Sequence, residues 1–200
     1  MDINIAGFIP ALLPVALSPG ASFTLAMNSA LSQGRKGLWV TLTGTALGIY
    51  THALLIGLGV SSLLAASPAL FGLLKIAGTL YLLWLGAQLI RSGLSARALT
   101  FSKGEKVITL KAAWLANVLN PKAMLFYLTV VSQFAGHHGE VSHYLLLASV
   151  HVAVMAVWLI ALSLMLITSA RKINTQALKR IINTGGGTLL ILFALLNVFH

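Results

Sequence analysis

Two tetrapeptides set in otherwise apolar surroundings carry the residues best placed for chemistry: Ser18-Pro19-Gly20-Ala21 and Asn120-Pro121-Lys122-Ala123. Proline removes a backbone donor and clashes with the preceding turn, at about 3 kcal/mol in a helix interior, so each motif is expected to kink or break its helix. Serine and asparagine are good N-caps, and proline is favoured at the first helical position. Both tetrapeptides therefore read as starts of new half-helices, with free backbone N–H groups and the positive end of a helix dipole. An anion or carboxylate suits such a place.

Lys122 strengthens that reading. It lies about 16 Å into its apolar run at 1.5 Å per residue, near the middle of a bilayer, where an unpaired lysine costs at least ~2.5 kcal/mol. It is expected to face a protein- or water-lined cavity and to hold a substrate carboxylate. Lys75 lies about 10 Å deep, and its stem either snorkels to the interface or joins the pathway. The acidic residues are Asp2, Glu105 and Glu140, all terminal or in loops. With no carboxylate in the apolar runs, a substrate with its own carboxylate and a neutral side chain fits better than lysine or arginine, and proton coupling lacks its usual Asp or Glu carrier. His52 and His151 are the remaining titratable candidates for coupling; a helix-to-helix hydrogen bond is the commoner role for each. Ser18, Ser22, Asn28, Asn117 and Asn120 offer polar contacts to a zwitterion, Asn28 reading more simply as helix-packing glue.

Other motifs carry less. His137-His138-Gly139-Glu140 with His143 lacks a completed ligand set and reads as a solvated loop, not a metal site. Gly44 and Gly48 form a GxxxG step, which marks close helix packing. There is no cysteine, which excludes disulfides, thiolate metal sites and thiol redox chemistry. No cofactor is expected.

The elements that must position these residues are membrane helices. The 200 residues are 58% hydrophobic and only 8% charged, with a mean hydropathy of +0.93, against about 25% charged residues in soluble domains. A span needs roughly 20 apolar residues, and six runs qualify: Ile3 to Leu31, Gly37 to Leu64, Pro68 to Ile90, Ala112 to Ala135, Tyr144 to Ser169 and Ile181 to Phe199. The first follows Met1-Asp2 with no basic region before it and contains Pro10, Pro14 and Pro19, so it is expected to remain as helix one and not to be cleaved as a signal peptide. Short connections leave a single transporter domain over 1–200.

The formal charge of +10 reads as topology information and not as nucleic-acid binding, because the basic residues cluster between the runs. Arg35 and Lys36 lie between helices one and two. Arg91, Arg97, Lys103, Lys106 and Lys111 lie between three and four, and Arg171, Lys172, Lys179 and Arg180 between five and six. Eleven of the thirteen basic residues thus fall on one side, which places these loops in the cytoplasm and both termini outside.

The broken runs are helices one and four, three helices apart and hence of opposite direction. Repeats of about 1–90 and 111–200, joined by a basic cytoplasmic loop at 91–111, would be inverted copies whose half-helix starts meet at the bilayer midplane. Gly78-Thr79-Leu80 in helix three and Gly187-Thr188-Leu189 in helix six are a weak echo of the duplication.

Several blocks in this order and spacing give the chain a family likeness: Ser18-Pro19-Gly20, Gly34-Arg35-Lys36-Gly37-Leu38, Gly44 with Gly48 and His52, Leu80-Tyr81-Leu82-Leu83-Trp84-Leu85-Gly86, and Asn120-Pro121-Lys122-Ala123. Over essentially its whole length it resembles the lysine-exporter (LysE/RhtB) family of bacterial amino-acid efflux permeases. The resemblance implies an inner-membrane exporter of amino acids or their derivatives, of the threonine or homoserine kind, driven by the proton gradient, with both proline motifs at the transport path. In two places the chain departs from the family pattern. Ala21 replaces the second proline of a common Pro-Gly-Pro, implying a gentler first break than in relatives, and Ser132 stands where proline commonly precedes Gln133-Phe134.

The expected function is therefore secondary transport of small, mainly neutral amino acids, with Ser18, Pro19, Gly20, Ser22, Lys75, Asn117, Asn120, Pro121 and Lys122 along the pathway. The partners are a small-molecule substrate and the lipid bilayer, with a second copy of the chain as a further candidate and nucleic acid excluded. A metal or inorganic-ion exporter is the nearest rival, disfavoured by the lack of Asp, Glu and Cys in the spans. A membrane-embedded enzyme would need a paired nucleophile and base, which the sequence does not offer. A non-transporting membrane subunit is the remaining alternative.

Overall fold

A computed structural model describes residues 3–98, 107–136, 140–168 and 174–198; side chains at 60–66, 68, 70–71, 74–75, 166–168 and 197–198 lie outside that description. Among the described residues every regular element is helical: α1 (Ile5–Leu17), α2 (Ala21–Ala66), α3 (Pro68–Leu94), α4 (Leu110–Val118), α5 (Pro121–Leu125), a π-helical segment (Phe126–Val131), α6 (Ser132–Phe134), α7 (Val141–Thr168) and α8 (Thr175–Val198). Among the described residues three helical stretches are, by length and composition, apolar enough to cross a membrane: Ala21–Gly59, Val141–Met165 and Thr175–Leu196.

The distribution of side chains is that of a membrane protein. Leu55, Leu58, Leu73, Ile76, Leu80, Val157 and Leu196 are exposed, whereas Thr41, Thr45, His52, Asn117, His151, Ser163 and Asn183 are buried. In lipid an apolar exterior carries no penalty, and polar groups turn inward to find one another.

The 46 residues of α2 would span about 69 Å if straight, more than twice the ~30 Å hydrocarbon core. They do not run straight. Gly34 has φ 63° and ψ −147°, outside the helical region, and a Cβ on Gly37 would strike the Ser29 carbonyl oxygen. Residues eight apart in a straight helix are separated by about 12 Å, so the chain reverses at Gly34. The left-handed φ that this turn needs comes without strain only from glycine. A loop was expected between helices one and two; a single residue makes the turn instead, and Arg35 and Lys36 open the second arm.

Other boundaries also move. Helix four starts at Leu110, not Ala112, because the Thr109 side chain accepts the Ala112 N–H at 3.2 Å, which brings Lys111 into the helix. Helix six starts at Thr175, not Ile181, because the Asn174 side chain accepts from the Ala177 N–H at 2.9 Å, so Lys179 and Arg180 lie on its first turns. Arg91 is likewise helical, within the last turn of α3.

Small residues set the packing. At the α3–α8 crossing a Cβ on Gly187 would come within 2.5 Å of the Gly86 carbonyl oxygen, and one on Gly86 within 2.8 Å of the Gly187 carbonyl oxygen. Gly44 and Gly48 seat α4 on α2: their Cβ positions would fall 2.6 Å from the Ala113 Cβ and from Asn117 Oδ1. Gly78, of the tripeptide echo, abuts Thr129 and Gln133 of helix four, so it does not share the partner of Gly187.

Candidate functional site

Both proline motifs interrupt their helices, by different local chemistry. At the second, α4 ends at Val118 and α5 starts at Pro121. Asn120 is the N-cap, its Oδ1 accepting the Lys122 N–H at 3.0 Å, with Pro121 at the first helical position. Asn120→Ala should lower the thermal stability of the detergent-solubilised protein by about 1 kcal/mol, and Asn120→Asp should retain it.

The first motif corrects the expectation that Ser18 is an N-cap. Ser18 is the C-cap of α1, and its hydroxyl donates back to the Val15 carbonyl at 3.1 Å, satisfying an acceptor that the broken helix leaves free. The carbonyl of Gly20 accepts the Thr24 N–H at 2.9 Å, so Gly20 holds the N-cap position of α2, and glycine is tolerated there. Residues 18–20 are outside any helix at the first break, against 119–120 at the second.

The two breaks meet. Lys122 Nζ donates to Ser18 Oγ at 2.7 Å, across 104 positions of sequence. Tyr81 of α3 donates to the Lys122 carbonyl at 3.0 Å. Asn117, in the last turn of α4, donates through Nδ2 to Ser22 Oγ at 3.5 Å. Because this bond uses Ser22 as acceptor, its hydroxyl proton is left for a ligand.

Between the breaks is a cavity of about 80 Å³. A water's share of liquid volume is roughly 30 Å³, so the cavity has room for about three water-sized groups. Ser18, Gly20, Ser22, Asn117, Asn120 and Lys122 supply one part of its wall; Val15, Ala16, Phe23, Ile49, Phe126, Met155 and Leu159 supply an apolar part, with Thr45 and His151. Pro19 and Pro121 shape the breaks without lining the cavity. Asn28 is buried away from it.

No carboxylate among the described residues pairs with Lys122. Glu140 is exposed and accepts from the Ser142 hydroxyl at 3.1 Å, while Asp2 and Glu105 lie outside the described residues. The Lys122 ammonium therefore keeps donors in excess of its single serine partner, beside a cavity, and can take an anionic oxygen there.

The two histidines separate. His52 Nε2 lies 3.3 Å from the Asn117 carbonyl at the helix-four break, making it a helix-to-helix bridge, and it is absent from the cavity wall. His151 does line the cavity, with Nδ1 3.2 Å from the Tyr127 hydroxyl. Thr45 and Tyr127 were not singled out by sequence, and Tyr81 only within the family block at 80–86, because a tyrosine or threonine in an apolar run carries no signal of its own. Lys75 lies on α3 with its side chain outside the described residues. His137 and His138 also lie outside them, and His143 Nδ1 is bonded to the Ala135 carbonyl at 2.8 Å.

Relatives are recognisable by sequence. The chain is 31% identical over 136 residues to an uncharacterized membrane protein of Vibrio cholerae, covering 67% of this chain and 66% of that one. It is 31% identical over 145 residues to the homoserine/homoserine lactone efflux protein of Salmonella typhi, covering 70% and 69%. It is 28% identical over 134 residues to the leucine efflux protein of an Enterobacter species, covering 66% and 64%. The chain thus spans about two thirds of the length of these curated relatives. No solved structure matches it. The model of the LysE type translocator matches residues 13–199, and the chain belongs to that family.

Proposed function

We propose that the protein is a secondary transporter exporting small, mainly neutral amino acids or their derivatives across a bacterial inner membrane. The observation that carries this reading is the Lys122 ammonium, held among the described residues only by the Ser18 hydroxyl, at a small cavity between two helix breaks. Lys122 and the Ser22 hydroxyl take the substrate carboxylate, and the apolar wall takes a neutral side chain. The relatives named for homoserine and leucine efflux support the class of substrate.

Six spans in two inverted repeats, 1–90 and 111–200, are the architecture we assign, with the basic loops cytoplasmic and both termini outside. Packing supports the repeat: α3 packs on α8, and α2 on α7, as an internal two-fold would pair helix three with six and two with five. Broken helix one lies against α8 and α7 as broken helix four lies against α3 and α2. Transport is coupled to the proton gradient, with the cavity-lining His151 as the titratable group at the substrate.

Counterflow in proteoliposomes tests the reading. Vesicles preloaded with unlabelled homoserine, threonine or leucine should accumulate the matching labelled amino acid transiently, and lysine should be a poor counter-substrate. No accumulation with any neutral amino acid would overturn it.

A further inference from the structure

The Tyr127 hydroxyl is wholly buried, and among the described residues its single hydrogen-bond partner is His151 Nδ1, 3.2 Å away. A buried hydroxyl proton needs an acceptor, and Nδ1 is the one within reach, so Tyr127 donates. A neutral imidazole that accepts at Nδ1 carries its proton on Nε2. The Nδ1 edge is occupied by Tyr127 and the ring lines the cavity, which leaves the Nε2–H for the cavity. If the ring becomes protonated, Nε2 keeps its hydrogen, so the cavity meets a donor in either state.

The arrangement is braced from behind. The Tyr127 ring lies near-parallel to two imidazoles, with His151 at 5.9 Å and 14° and His52 at 6.0 Å and 21°. His52 is itself fixed by the Asn117 carbonyl; a carbonyl only accepts, so His52 donates its Nε2–H there. Phe126 packs against His151, its ring inclined at 78° with centroids 5.9 Å apart. Lys122 is near enough for its charge to act on the His151 ring. Donors from α5 and α7 thus converge on one cavity, matching a carboxylate, whose two oxygens accept about four hydrogen bonds.

We infer that the substrate carboxylate is held from two sides, by the Lys122 ammonium and by the Nε2–H of His151, with Tyr127 as the residue that positions the imidazole. This rests on the proposed amino-acid carrier and assigns His151 a substrate contact beyond proton coupling.

The test is competition in counterflow between a transported amino acid and its methyl ester, which lacks the anion. The wild-type protein should prefer the free acid by at least tenfold. His151→Leu should weaken competition by the acid about ten- to a hundredfold, as expected for losing a hydrogen bond to a charged group, and leave the ester unchanged. Tyr127→Phe should show part of that loss with the same acid-versus-ester split. His151→Gln, which keeps a side-chain N–H, should recover most of it; if His151→Leu does not fold, the Gln and Phe variants decide. Equal losses for acid and ester, or none, would overturn the role of His151. No saturable exchange by the wild type would instead remove the carrier reading, whereas an acid preference abolished only by Lys122→Met would remove this inference alone.

Discussion

Lys122→Met is expected to reduce amino-acid efflux about ten- to a hundredfold while the protein remains in the membrane at normal abundance. The substitution keeps a long, flexible side chain and removes the ammonium. A hydrogen bond to a charged group is worth about 1.5–3 kcal/mol, and that range sets the expected loss. The fold should survive, because the bond lost from the structure joins Lys122 to Ser18, whose hydroxyl keeps its bond to the Val15 carbonyl. On the proposed six-span topology, removing this charge lowers an insertion penalty of at least ~2.5 kcal/mol, so the variant should be no less stable than the wild type. Transport of labelled substrate, normalised to protein in the membrane fraction, measures the effect. Normal efflux by this variant would rule out a carboxylate contact at Lys122.

Gly187→Ala and Gly185→Ala, two positions apart in α8, should have opposite effects on stability. A Cβ on Gly185 meets nothing within 4 Å, whereas one on Gly187 falls 2.5 Å from the Gly86 carbonyl oxygen and 2.8 Å from the Ile90 side chain. Alanine is favoured over glycine in a helix interior by about 1 kcal/mol, and Gly185→Ala should realise up to that amount. At Gly187 the backbone of α3 must move away. Overpacking costs typically 1–3 kcal/mol, more when backbone has to yield, so the clash outweighs the helical preference. Thermal unfolding in detergent, followed by the fraction remaining monodisperse, should rise for Gly185→Ala and fall for Gly187→Ala. A gain in both would show that α3 and α8 are not in backbone contact there.

The helix breaks are legible in the sequence because proline acts locally: Pro121 cannot supply a backbone N–H, and Asn120 beside it is a strong cap whatever surrounds it. At the first motif two residues flanking Pro19, Ser18 and Gly20, were both competent to cap, and local chemistry did not choose between them. The Val15 carbonyl and Lys122 settle it, since each engages the Ser18 hydroxyl and one of them lies 104 residues away. The reversal at Gly34 was legible as a basic connection, but its contraction to one residue depends on Gly37 tolerating the Ser29 carbonyl, which is a packing fact. The π-helical segment has the same character: the Ser132 hydroxyl reaches back to the Tyr127 carbonyl at 3.2 Å, where the family pattern led one to expect proline. Least legible was the stack of His52, Tyr127 and His151, because three separate helices supply it and each ring sits in an apolar run without periodic signal.

The central claim, that an amino acid occupies the cavity between the two breaks, is most directly tested by site-specific protection. The chain contains no cysteine, so Ala16→Cys places a single thiol in the cavity wall. Its alkylation by a small maleimide in proteoliposomes should slow in a saturable manner as the transported amino acid is added, and the corresponding methyl ester should need at least tenfold higher concentration for the same protection. Alkylation at an unchanged rate under saturating transported substrate would contradict a substrate site at this cavity.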